Sequence, residues 1–220
     1  MSVFKLLNKD IQNVFFSPKT IEYVGLSSKL LFYYFFILTL VLMLFSIIVG
    51  SLTNFFPNES EIVIPKNITF FKVAIISPII EEILFRLIIL KNRFNYVLFF
   101  IYFLIYILYE KFVIPIILYQ ILVISFLFII FFKKFDYKIN ISSDSNNSML
   151  LRVYLSCLFF GIFHLTNFNH ISALNVIIIA YLFSKFFAGF IFILLRIKFG
   201  IIASIALHVF LNSFSYILIY

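Results

Sequence analysis

The run Phe70–Leu90, FFKVAIISPIIEEILFRLIIL, is apolar enough to cross a bilayer, yet its middle carries Glu81, Glu82 and Arg86. At about 1.5 Å per residue, a helix of this length matches the roughly 30 Å thickness of a hydrocarbon core. A charged side chain at mid-bilayer costs about 2.5 kcal/mol or more, so three of them need compensation. Glu82 and Arg86 are four residues apart and share a helix face, where a carboxylate and a guanidinium can pair. Glu81 lies about 100° further round the helix and faces something else. Two adjacent carboxylates cannot both ionise cheaply beside a single arginine. Pro78 removes a backbone donor and is expected to loosen the helix where the carboxylates emerge. Two readings follow: an ion pair that locks helices together, or a buried acid–base site.

Such a run belongs in a membrane protein, and the rest of the chain agrees. Hydrophobic residues make up 64% and charged ones only 12%, with a mean hydropathy of +1.16; no soluble domain has this composition. In a soluble protein a net charge of +8 would suggest nucleic acid. Here the basic residues cluster between apolar runs, the positive-inside pattern, and no nucleic-acid partner is expected. The single cysteine, Cys157, excludes an internal disulfide or a cysteine metal cluster,.

Residues 1–29 hold four lysines and no run long enough to span. Phe4, Leu7, Ile11, Val14 and Phe15 recur at helical spacing with Lys5, Asn8, Lys9, Asp10 and Gln12 between them. This predicts an amphipathic helix on the membrane surface, ending near Ser17-Pro18. Residues 30–220 form the transmembrane domain. Spans are expected over Leu30–Gly50, Phe70–Leu90, Phe94–Tyr109, Val113–Phe132, Leu150–Thr166, Ser172–Leu195 and Phe199–Tyr220. The fold class is therefore all-α, a polytopic bundle of seven membrane helices. Alternate loops hold nearly all the Lys and Arg, among them Lys91, Arg93, Lys133, Lys134, Lys138, Arg152, Arg196 and Lys198. That places the N-terminus in the cytoplasm and the C-terminus outside. Lys185 falls inside a span, where it either snorkels or lines a site.

Several polar residues share one depth. Glu81 is ten residues from Lys91, His164 twelve from Arg152 and His208 ten from Lys198. All three therefore lie roughly 15–18 Å from the same side. His208 and Asn212, four apart, share a face. A carboxylate and a neutral imidazole can hold and deprotonate water. A second histidine with an Asn one turn on supplies donors for a developing oxyanion. This layer favours water attacking a carbonyl, hence peptide hydrolysis. No three clean zinc ligands are evident, and neither a metal nor another cofactor is expected. His170 stands in a short loop beside Asn167 and Asn169 and carries no role.

These residues resemble the motifs of the CPBP family of intramembrane glutamic endopeptidases, which includes the type II CAAX prenyl proteases. The Glu-Glu-x-x-x-Arg motif, preceded by Pro and with Phe before Arg, is matched by Pro78, Glu81, Glu82, Phe85 and Arg86. Phe-x-x-x-His is matched by Phe160 and His164, and His-x-x-x-Asn by His208 and Asn212. The resemblance covers about residues 70–215. It implies that Glu81 and His164 activate water, that His208 and Asn212 form the oxyanion hole, and that Glu82 and Arg86 support them. The prenyl proteases are described with eight membrane helices, where seven are counted here. Leu87 stands where the family often has Gly.

The expected function is thus an intramembrane endopeptidase acting on a peptide or protein substrate in or near the bilayer. A bacterial cell membrane is the expected location, because the Phe, Ile, Lys and Asn bias fits an AT-rich genome. A catalytically silent scaffold or bacteriocin self-immunity protein of the same fold is the alternative. A proton-coupled carrier is a third, against which stands the lack of any inverted repeat.

Overall fold

The computed structural model describes residues 2–26, 29–55, 69–86, 89, 145–164 and 176–219. Among these, every regular element is helical. The amphipathic α1 is Val3–Phe16, and α2 is Lys29–Phe55. A π-helical turn, Phe71–Ile76, runs directly into α3, Ser77–Arg86. Then come α4 (Asn146–Phe163), α5 (Val176–Phe199) and α6 (Ile201–Ile219). Helices α2, α4, α5 and α6 are long and apolar enough to cross a membrane. The expected second span is helical from Phe70 to Arg86. The third and fourth expected spans, and the loop expected over residues 133–147 apart from its last three, lie outside the described residues, as do Lys91, Arg93 and His170.

Cross-helix contacts fix the helix directions. Tyr34 meets Phe199 and Phe45 meets Phe187, so α2 and α5 run antiparallel. Phe70 meets Tyr216 while Glu82 meets Ser204, which makes α3 antiparallel to α6. Phe85 on Phe160, with Arg152 Nε donating to Ile89 O at 3.1 Å, does the same for α3 and α4. Outward faces are apolar: Phe32, Phe36, Leu44 and Ile47 of α2 and Ile217 and Leu218 of α6 are exposed. In water that surface would be costly, whereas lipid tails cover it.

Helix α4 approaches α5 closely at Gly189. A Cβ there would lie 3.2 Å from Cys157 Sγ and 3.3 Å from Cys157 Cα. The absence of a side chain lets the backbones meet, as is common between membrane helices.

At the basic end the structure departs from the sequence reading. Arg196 and Lys198 were expected in an exposed loop, but α5 continues through both and both are buried. The break falls at Gly200, whose φ of +99° is the left-handed conformation glycine tolerates,. Its N–H bonds to Arg196 O at 3.1 Å, closing the helix end,. The N–H groups of Val24 and Gly25 take up Lys198 O, at 2.7 and 3.3 Å.

Helix α1 begins at Ser2, whose side chain accepts from the Lys5 N–H,. It packs against α5, α4 and α2. Leu7, Asp10 and Val14 are its buried residues. The face assigned from sequence to the membrane surface is thus covered largely by the bundle. Asp10 is buried with that face, only 3% exposed. Its Oδ2 lies 2.6 Å from Lys198 Nζ and accepts from the Tyr34 hydroxyl. At the helix's C-terminal end, Tyr154 donates to Phe15 O and Asn146 to Phe16 O. Both bonds satisfy carbonyls that a helix terminus leaves orphaned.

Candidate active site

The site hangs on α3, whose position begins with Pro78. Without an N–H, Pro78 cannot close either an i→i−4 or an i→i−5 bond. The turn before it widens, and Ser77 N–H bonds to Lys72 O, a π-type step,. Val73 O then lacks a helical donor, because Ser77 bonds one residue earlier and Pro78 has nothing to give. Asn212 Nδ2 of α6 supplies that donor at 3.2 Å. The loosening expected from Pro78 therefore takes a defined form, and a side chain from another helix compensates it.

Glu82 is fully buried and serves three partners. Its Oε2 lies 3.6 Å from Arg86 Nε and accepts from the Ser204 hydroxyl. Its Oε1 lies 3.1 Å from His208 Nδ1. The Arg86 contact is an ion pair rather than a hydrogen bond at that distance. Arg86 Nη1 donates to Ser156 Oγ at 2.8 Å, and Ser156 in turn donates to Phe85 O. The guanidinium lies 4.7 Å from the Phe160 ring centroid and 5.9 Å from that of Phe192, so aromatic faces help hold its charge,.

Glu81 differs from its neighbour. Its Oε2 is buried and makes no hydrogen bond. It lies 3.7 Å from His164 Nε2 and 3.6 Å from His208 Nε2. His164 Nδ1 is 2.8 Å from Phe160 O. A carbonyl only accepts, so that nitrogen carries the proton and, in the neutral ring, Nε2 presents a lone pair. The same logic applies to His208, whose Nδ1 faces a carboxylate. Its ring also stacks on Phe192, with centroids 4.5 Å apart. Three acceptor atoms from three helices thus converge on one spot.

The structure brings Glu81, Glu82, Arg86, His164 and His208 into one layer, with Asn212 one turn beyond His208. Asn212 makes its bond to the backbone of the π-helical turn before α3 rather than to the histidines. Among the described residues, no group of three or more His, Cys, Asp or Glu side chains has the arrangement to hold a metal ion. The chain matches no family model, no curated protein and no solved structure.

Ser156, Ser204 and Phe192 were not singled out from the sequence. Ser204 carried a usable signal, since it precedes His208 by four residues as His208 precedes Asn212. Lys185 lines a cavity of about 510 Å³ between α2, α5 and α6, whose wall includes His208 and Asn212.

Proposed function

We propose that this protein is an intramembrane peptide hydrolase of the CPBP type, with Glu81 and His164 activating water. The observation that carries this reading is the convergence of Glu81 Oε2 on the two Nε2 atoms at 3.6–3.7 Å. Those separations are too long for direct hydrogen bonds. They suit a water within about 2.8 Å of the carboxylate and of an imidazole, donating one proton to each. Its oxygen lone pair is then free to attack a peptide carbonyl.

In this mechanism the water oxygen bonds to the carbonyl carbon while its proton passes to Glu81. The carbonyl oxygen becomes an oxyanion beside Asn212, which keeps one N–H beyond the bond to Val73 O, and beside His208, which donates there only as the imidazolium because its Nδ1–H is given to Glu82,. Collapse breaks the C–N bond, and the proton held by Glu81 goes to the departing amine. Glu82 accepts the Nδ1–H of His208 and fixes the ring's orientation, and Arg86 balances the charge of Glu82. A substrate helix has to unwind here, because its peptide groups are otherwise hydrogen-bonded to one another. The site lies in a bundle of seven spans with its N-terminus in the cytoplasm.

The second reading is a silent scaffold or bacteriocin self-immunity protein. The network of Glu82, Arg86, Ser156 and Ser204 would clamp helices in either case. Glu81 separates the two, since a scaffold gains nothing from a buried carboxylate oxygen, Oε2, left without a hydrogen bond,. The test compares membrane peptides by mass spectrometry from cells carrying the wild type or Glu81→Gln. Cleavage products present only with the wild type support the peptidase. A purified, metal-stripped sample that regains cleavage only with zinc would replace the glutamate-base mechanism with a metalloprotease.

A further inference from the structure

The mechanism leaves Lys185 without a task. It stands thirteen residues before Lys198 on α5, hence about 20 Å from the basic end, well inside an apolar layer. Its Nζ lies 5.1 Å from the centroid of the Tyr181 ring. Among the described residues no carboxylate comes within 4.0 Å of it. Its charge is close enough to act on Glu81 and His164. A lysine at this depth with no ion-pair partner among the described residues is open to an anion from elsewhere.

The cavity beside it fits such a visitor. Lys185 is the one cation among its described lining residues, and that lining has no carboxylate. Most of the wall is apolar, with Leu42, Phe45, Leu211 and Phe214 among its members. One wall is formed by His208 and Asn212, so an occupant reaches the hydrolytic layer directly. A volume of about 510 Å³ is that of a small-molecule pocket and holds a few apolar side chains,.

We propose that this cavity binds an apolar peptide segment bearing one carboxylate, with the carboxylate paired to Lys185. The inference rests on the peptidase reading of the adjacent layer. Lys185 is then the residue that selects acidic over neutral segments and sets their register against Glu81. The carboxylate comes from an Asp or Glu side chain or from a free C-terminus; one ammonium recognises both. A phospholipid is the poorer occupant, because its charge stays at the headgroup level, far from a residue this deep.

The chain has no tryptophan, so a tryptophan in a probe peptide is excited alone. Three apolar peptides with one Trp each are titrated against the detergent-purified full chain. One has an internal Glu and an amidated end, one has Gln there with a free C-terminal carboxylate, and one has Gln with an amidated end. At least one acidic peptide should bind ten or more times tighter than the neutral one, and which of the two does so identifies the source. Lys185→Gln should abolish the preference and Lys185→Arg should retain it, both with wild-type affinity for the neutral peptide. Equal affinity for all three peptides in the wild type overturns the proposal, as does a preference that survives Lys185→Gln. A preference lost in phosphatidylglycerol nanodiscs but kept in phosphatidylcholine ones overturns it in favour of a lipid anion. Lys185-dependent binding without any cleavage supports this site and sinks the peptidase reading instead.

Discussion

Glu82 Oε1 lies 3.1 Å from His208 Nδ1, so the carboxylate that pairs with Arg86 also orients an imidazole on another helix. The adjacent Glu81 carboxylate meets that same ring at its other nitrogen. One side chain therefore holds His208 and the other uses it, a division that follows from the 100° step between neighbouring helical residues.

Glu82 and Glu81 should consequently respond differently to amidation. Glu82→Gln leaves Arg86 buried without its countercharge and should destabilise the fold by about 3–5 kcal/mol. Glu81 makes no hydrogen bond at Oε2, so Glu81→Gln should retain nearly the full thermal stability while losing turnover. Unfolding transitions in detergent check this directly. Equal destabilisation by the two variants would remove the distinction between a holding and a reacting carboxylate.

Much of this layer was legible in the chain, and the reason is geometric. The Glu82–Arg86 pair follows from i,i+4 spacing, and the shared depth follows from counting residues to basic anchors. Both are measures along a single helix. What could not be read depends on rotations between helices: Ser156 under Arg86, Ser204 on Glu82, and Asn212 reaching the π-helical turn before α3. The basic end misled for a related reason. Arg196, Lys198 and Asp10 look like solvated charges by composition. They are buried because α1 folds back under α5, a tertiary fact that no local pattern carries.

Docking of α1 should depend on that buried pair. Asp10→Asn leaves the Lys198 ammonium without its carboxylate, at a cost of about 3–5 kcal/mol. Lys198→Met should cost a similar amount, and the double variant should recover much of the loss because no buried charge remains unpaired. Limited proteolysis supplies a second readout, with faster cleavage expected between residues 17 and 26 in each single variant. Additive losses in the double variant would mean that the two side chains are not coupled.

The α4–α5 contact gives a steric test. Gly189→Leu drives a side chain into Cys157, whose Sγ and Cα lie 3.2 and 3.3 Å from the new Cβ. Backbone has to move, and a loss of about 1–3 kcal/mol is expected. Denaturant titration of the purified protein measures it. An unchanged midpoint would show that the two helices do not approach as closely as described.

Topology is checked independently of chemistry. On the proposed count of seven spans with basic loops on one side, a reporter fused after Tyr220 should be active outside while an N-terminal one reads the cytoplasm. Both reporters on one side would mean an even number of spans, and with it an error in the division expected between residues 94 and 132.

The most specific prediction links Pro78 to Asn212 across two helices. Val73 O is orphaned because Ser77 N–H bonds to Lys72 O and Pro78 has no N–H, and Asn212 Nδ2 satisfies it at 3.2 Å. Asn212→Ala should therefore leave a carbonyl without its partner, costing about 1–3 kcal/mol. In a Pro78→Ala background the turn regains a donor, and the helix can close the bond itself. The same Asn212→Ala substitution should then cost markedly less, with a coupling of about 1 kcal/mol or more between the sites. A merely catalytic Asn212 predicts a different pattern: turnover falls in both backgrounds and stability in neither. If the thermal losses prove identical with and without Pro78, the carbonyl-capping role is wrong. Turnover measured on the same four proteins separates the two functions, since its loss on removing Asn212 should persist where the stability loss has been relieved.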